Sequence, residues 1–213
     1  MSEHSSRPPL YRSSISGEPL TLRDSRLAVV GPDDIPRRPS FRGRIVRADL
    51  HDERDAQAVE AINDFYWGST EQDIFGRTYD VLNCDNYLAV PKPDEPGADD
   101  PSCHGIAGNV ALKIEDEGFL HIVVFHIWPI WHGRGVGRAL LDTSIQEARS
   151  HGLGTVKLGT TNDNLPALYF YQRAGFVIEE VVTGIVVIEL GMEICGFAGI
   201  PVRDEIRMRL DIQ

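Results

Sequence analysis

Apolar residues recur at helical spacing in Val59, Ile62 and Phe65, which predicts a first helix over residues 52–65. A second helix is expected from Glu71 to Val81. Short runs rich in β-branched and aromatic residues predict strands at 44–47, 87–90, 108–114, 119–127, 155–160 and 177–182. Near the end Ile206, Met208, Leu210 and Ile212 alternate with polar residues, the signature of a half-buried last strand. Val136, Leu140, Ser144 and Ala148 share one face of a helix that stops at Gly152. Asn164 caps a further helix, with Pro166 in the tolerated first turn and Gly175 closing it. Strands and helices interleave, so the chain reads as a mixed α/β domain around one central sheet, spanning residues 43–213. Residues 1–42 are rich in Ser, Pro and Arg and read as a largely disordered tail, docking if at all through Leu27-Ala28-Val29-Val30.

The chemistry concentrates between a strand and a helix, in WPIWHGRGVGRALL from Trp128 to Leu141. Gly133, Gly135 and Gly137 alternate there, so the backbone turns sharply and its N–H groups stay unshielded. Those donors sit at a helix N-terminus, where the helix dipole also favours an anion; the pattern predicts a phosphate cradle. It is not a P-loop, because Arg138 and Ala139 follow Gly137 where Lys and Ser or Thr are required. Nor is it the dinucleotide fingerprint, which needs a third Gly at 138 or 140.

Composition narrows the partners. The 213 residues are 42% apolar with a net charge of −11, enough for one well-buried domain. Residues 1–44 hold eight Arg against five acids, so that stretch carries +3 and the remainder −14. An acidic body argues against nucleic acid as a partner. No apolar run approaches the roughly 20 residues of a membrane span, and the polar N-terminus lacks a secretory segment. Cys84, Cys103 and Cys195 lack metal-ligand spacing and point to a reducing, cytoplasmic setting without disulfide or metal. The charge also requires a local positive site for an anionic cofactor, which Arg134 and Arg138 supply.

His132-Gly133-Arg134-Gly135-Val136-Gly137 resembles the [Q/R]-x-x-G-x-G/A loop of the GCN5-related N-acetyltransferases, with His132 in place of the usual Gln or Arg. A second stretch, TNDNLPALYFYQRAGF, matches that family's other signature at Asn164, Ala167, Phe170, Tyr171, Gly175 and Phe176. The resemblance spans residues 44–212. It implies a GNAT-like α/β fold: a mostly antiparallel sheet, helices on both faces, splayed between the fourth and fifth strands. It also implies acetyl-CoA as acyl donor. The pantetheine arm would lie along the open strand edge, with the thioester near Ile127 and Trp128 and a backbone N–H there steadying the oxyanion. The loop from His132 through Gly133, Arg134, Gly135, Val136 and Gly137 to Arg138 would hold the diphosphate, with Asn164 and Tyr171 also at the cofactor.

The expected activity is transfer of an acyl group to a small-molecule amine within a ternary complex, with room for a homodimer. Tyr171 stands where the family commonly has its acid. His121 stands where histone-type members have their catalytic Glu. The alternatives for the base are His126, on the opposite face by strict alternation unless a bulge intervenes, or water with a carboxylate such as Glu117. Two other functions compete: an acyl-CoA-binding module without turnover, and a related enzyme running O-acylation, hydrolysis or decarboxylation.

Overall fold

A computed structural model describes residues 41–191 and 194–212. The proposed tail, including residues 27–30, lies outside the described residues. Strand β1 (Arg44–Arg47) leads into α1 (Glu53–Trp67), which Asp52 caps by accepting from the Arg54 N–H and left-handed Gly68 ends. Ala58, Val59, Ile62 and Asn63 form its buried face.

The expected helix at 71–81 is instead a hairpin, β2 (Glu71–Ile74) and β3 (Arg77–Asp80), turning through Phe75 (φ 56°) and Gly76 (φ 68°). The spacing of Ile74, Thr78 and Val81 fits a helix, but side chains two apart along 71–74 alternate equally well. In so short a run the Phe-Gly turn and the β-favouring Ile, Thr and Tyr decide the matter.

The remaining strands are β4 (Asp85–Val90), β5 (Gly108–Ile114), β6 (Leu120–Ile127), β7 (Thr155–Thr161), β8 (Val177–Val182), the short β9 (Ile194–Cys195) and β10 (Pro201–Val202), and β11 (Glu205–Asp211). The helices are α2 (Val136–Ser150), α3 (Leu165–Arg173) and α4 (Ile185–Leu190). The pattern of polar and apolar residues did not announce α4 or the β9–β10 pair. Seven strands form the main sheet in the order β1-β4-β5-β6-β7-β11-β8. Every pairing is antiparallel except β6 with β7, and that one stops after Leu120, His121 and Ile122 meet Val156, Lys157 and Leu158. Beyond Ile122 the two strands part. The splay between the fourth and fifth predicted strands is therefore present.

Helix α1 covers one face, where Tyr66 stacks on His126 of β6. Helices α2 and α3 cover the other, where Phe170 packs on Phe125 and Gly137 fits against Ile127. The core between α2 and the sheet includes Leu140, Leu141, Val110 and Leu158, none more than 1% exposed. Truncating Leu140 to Ala should therefore destabilise the protein by about 2–5 kcal/mol, read from the urea midpoint at constant slope.

Candidate active site

The divergence leaves one edge of β6 without a neighbour. In an antiparallel ladder successive residues direct their N–H and C=O groups to alternate sides. The Trp128 N–H donates to the Ala107 carbonyl at 3.1 Å, so Trp128 and, by alternation, His126 and Val124 point toward β5. Phe125 and Ile127 then direct theirs into the gap. Of the two residues expected near the thioester, Trp128 has its N–H already committed, and the free donor at the end of β6 is that of Ile127. The Ile127 carbonyl is claimed twice, by the Tyr66 hydroxyl and by His132 Nε2 at 2.9 Å. Because a carbonyl only accepts, the His132 proton sits on Nε2. The ring of His132 thus braces the end of β6.

The turn after β6 builds the cradle. Gly133 (φ 73°) and Gly135 (φ 85°) take left-handed conformations that a side chain would strain. Gly135 is also the N-cap of α2 and brings no capping side chain. Among the described residues, no acceptor meets the N–H groups of Gly133, Gly135, Val136, Gly137 or Arg138; the first claimed donor of the helix is Ala139, bonded to the Gly135 carbonyl. Five unclaimed donors at a helix head suit an anion. Arg134 stacks over Trp131 and donates to the Pro96 carbonyl, which holds its charge beside the turn. Arg138 pairs with Asp142 at 2.9 Å on the exposed side of α2.

On the α3 side of the gap, Asn164 Oδ1 caps the helix at the Ala167 N–H, 3.3 Å away, and leaves its amide group unspent. Tyr171 is enclosed by Phe125, Phe170 and Phe176 with ring centroids 5.2–5.9 Å apart. Burial raises its pKa above the ordinary value of 10.0, so the hydroxyl keeps its proton and acts as a donor.

On the opposite face stand both candidate histidines. Ala111 faces Val124 while Leu112 faces Ile122, so Val123 is an extra residue in β6. That bulge cancels strict alternation and places His121 and His126 on the same face. His126 stacks on Tyr66 (4.8 Å) and accepts from Trp67 Nε1 at 2.8 Å, so its Nε2 lone pair is occupied. Burial pulls its pKa down to about 3. His121 is 0% exposed, walled in by Phe75, Tyr79 and Phe119. Its Nδ1 approaches Glu115 Oε1 to 3.4 Å without completing a hydrogen bond. Burial lowers its pKa to about 4, against the opposing pull of Glu115. Glu117, the alternative carboxylate, is paired with Arg77.

Tyr66, Glu115 and Phe75 carry no motif and went unnoticed in the sequence; only the Phe75-Gly76 turn offered a signal. A cavity of about 500 Å³ adjoins the end of β6 on the α1 side, with Asp64, Phe65, Asp100, Trp128 and Ile130 in its wall. Trp131 lies in the core, 1% exposed. Among the described residues, no group of three or more His, Cys, Asp or Glu is arranged to hold a metal. No helix there is long and apolar enough to cross a membrane.

The profile of the Acetyltransferase (GNAT) family matches residues 59–176. The chain belongs to this family. It is an acyltransferase by that membership, and curated relatives carry the same chemistry in their names. Streptothricin acetyltransferase of Streptomyces lavendulae is 28% identical over 152 residues, covering 57% of this chain and 76% of its own. The uncharacterized protein YxbD of Bacillus subtilis is 24% identical over 159 residues, covering 73% and 92%. Among solved structures, a Bacillus subtilis acetyltransferase in complex with CoA superposes with a TM-score of 0.56 at 22% identity, covering 80% of this chain and 99% of that one. The IAA acetyltransferase of Bacillus cereus gives 0.59 at 19% identity, covering 79% and 99%. These two establish the likeness of fold.

The buried rings make stability depend on pH. In the unfolded chain both imidazoles take up protons near 6.5, whereas the folded ones do so only near 4 and 3. Between those values the unfolded state binds more protons, so stability is complete above about 6.5 and declines as pH falls toward 3. The urea midpoint should drop steadily from neutrality to about pH 4, and His126→Gln should flatten part of that slope.

Proposed function

We propose that this acyltransferase moves the acetyl group of acetyl-CoA directly to a small-molecule amine while both are bound. The observation that carries the reading is the row of five unclaimed N–H groups at the head of α2, next to the open edge of β6. The residues present fit such a carrier. The cradle from Gly133 to Arg138 meets the diphosphate with backbone donors, aided by the charges of Arg134 and Arg138. The Phe125 carbonyl and the Ile127 N–H pair with the pantetheine amides as a neighbouring strand would. Asn164 offers its free amide from the head of α3.

Acetyl-CoA supplies an activated thioester. The Tyr171 O–H, kept protonated by its surroundings, donates to the departing sulfur. The Phe125 N–H, also directed into the gap, faces the carbonyl oxygen as charge builds on it. His121 takes the proton of the amine; the occupied Nε2 of His126 leaves that ring no free lone pair. Asp64 and Asp100 in the wall of the nearby cavity give the α1 side a negative field suited to a protonated amine. The relatives named for streptothricin and for L-amino acids (36% identical over 64 residues, covering 29% of this chain and 37% of the relative) support an amine acceptor. The three free cysteines suit a reducing cytoplasm.

Tyr171→Phe should lower kcat by roughly 10²-fold or more with the Kd for CoA little changed, because a general acid contributes about 10²–10⁴. An undiminished kcat would remove Tyr171 from the mechanism. Gly135→Val should weaken CoA binding by about tenfold or more in calorimetry, since a branched side chain is strained at this positive φ. Unchanged affinity there would mean that the cradle lies elsewhere.

A further inference from the structure

The β2–β3 hairpin is a ribbon apart, its strands pairing only with each other. It is fastened to the body by a few side-chain contacts near its tip. The Phe75 N–H donates to Glu205 Oε1 at 3.0 Å. Arg77 pairs with Glu115 at 2.9 Å and also with Glu117, and the Tyr79 hydroxyl donates to Glu115 at 2.9 Å. Ile74 lies directly on Gly159, where a Cβ would come within 2.8 Å of its Cγ1 and Cδ1. Gly159 follows Leu158, the last residue of β7 that still pairs with β6. The tip thus closes the apex of the gap from the α1 side.

The turn holds strain. Both of its central residues have positive φ, a geometry that favours Asn-Gly, yet the first is Phe75. In return the Phe75 ring sits 4.8 Å from the His121 ring and 4.8 Å from the Arg207 guanidinium, completing the wall that removes His121 from solvent. A two-stranded ribbon standing alone is marginally stable, and such units open more readily than the core around them.

We propose that this hairpin is the gate of the acceptor side: lowered, it seals His121, and raised, it admits the amine to a base lying at the apex of the gap. The inference rests on the acyl-transfer reading. With the gate raised, the amine nitrogen bonds to the acyl carbon and the carbon–sulfur bond breaks. Having first shed its ammonium proton to water, the nitrogen gives one further proton to His121 Nε2, whose partner Nδ1–H is turned toward Glu115. The sulfur receives a proton from Tyr171, and solvent exchange returns His121 and Tyr171 to their starting states.

The gate can be locked. Ile74→Cys with Gly159→Cys, in a Cys195→Ser background of the full chain, sets two thiols where a Cβ at 159 would already touch the side chain at 74, so that oxidation can join them. Carbethoxylation by diethyl pyrocarbonate, mapped by mass spectrometry in the presence of acetyl-CoA, reports access to His121 against exposed His51, His104 and His151. In the native chain His121 should react, more slowly than those three. Oxidation of the lock should slow it by about tenfold or more, and reduction should restore it, in step with acetyl transfer to a mixture of streptothricin and common L-amino acids. Labelling that the lock leaves unchanged, or a native His121 that never reacts, would overturn the gate. Should the locked chain misfold, Phe75→Asn tests the same point, because it keeps the turn, opens the wall and must speed the labelling. Failure to bind CoA by calorimetry would instead count against the acyl-transfer reading, and the labelling contrast would still decide the gate.

Discussion

A strand that loses its neighbour half-way along must satisfy its backbone by other means, and the parting of β6 from β7 after Ile122 imposes that condition on everything around it. Unpaired peptide groups shut away from water cost about 1–3 kcal/mol each, so the gap survives only because each strand is held firmly from its far side. Strand β5 pairs with β6 from Gly108 to Ile114, and β11 pairs with β7 along all seven residues from Thr155 to Thr161. Tyr66 and His132 then cap the Ile127 carbonyl, leaving a short row of donors and acceptors whose natural partner is an extended amide-bearing molecule. The free N–H groups at the head of α2 lie at the mouth of the same gap, so one divergence brings those donors and the open edge of β6 together.

The gap also separates two chemical environments. Tyr171 stands among phenylalanines on the α2–α3 face, where burial favours a neutral donor. His121 stands on the α1 face with carboxylates nearby. A phenol and an imidazole on opposite faces can each approach the space between the strands without meeting one another. The extra residue Val123 makes this possible, for without it His121 would share the side of Tyr171.

Much of this was legible beforehand, for identifiable reasons. The glycine turn and the Asn164-to-Phe176 stretch combine residue types at spacings that few other structures require, and both fall where expected. The long amphipathic face of α2 and the alternation in β11 carry clear periods. The hairpin at 71–80 was hidden because four-residue strands are too short for period two to outweigh period 3.6. The shared face of His121 and His126 was hidden because a bulge depends on pairing with another strand. The double capping of the Ile127 carbonyl joins Tyr66 to a residue sixty-one positions away, and no local pattern encodes such a meeting.

The outer rim of the sheet carries its own irregularity. Met208 faces Ile178 while Arg207 faces Glu180, so Glu179 is a supernumerary residue in β8 and its ladder is kinked. Val177, Ile178 and Val181 are all about half exposed along that rim, a composition that invites fibrillar stacking if the ledge is straight. The kink denies an incoming segment an unbroken run of matching amides. An apolar border can therefore remain in water without seeding endless end-to-end growth.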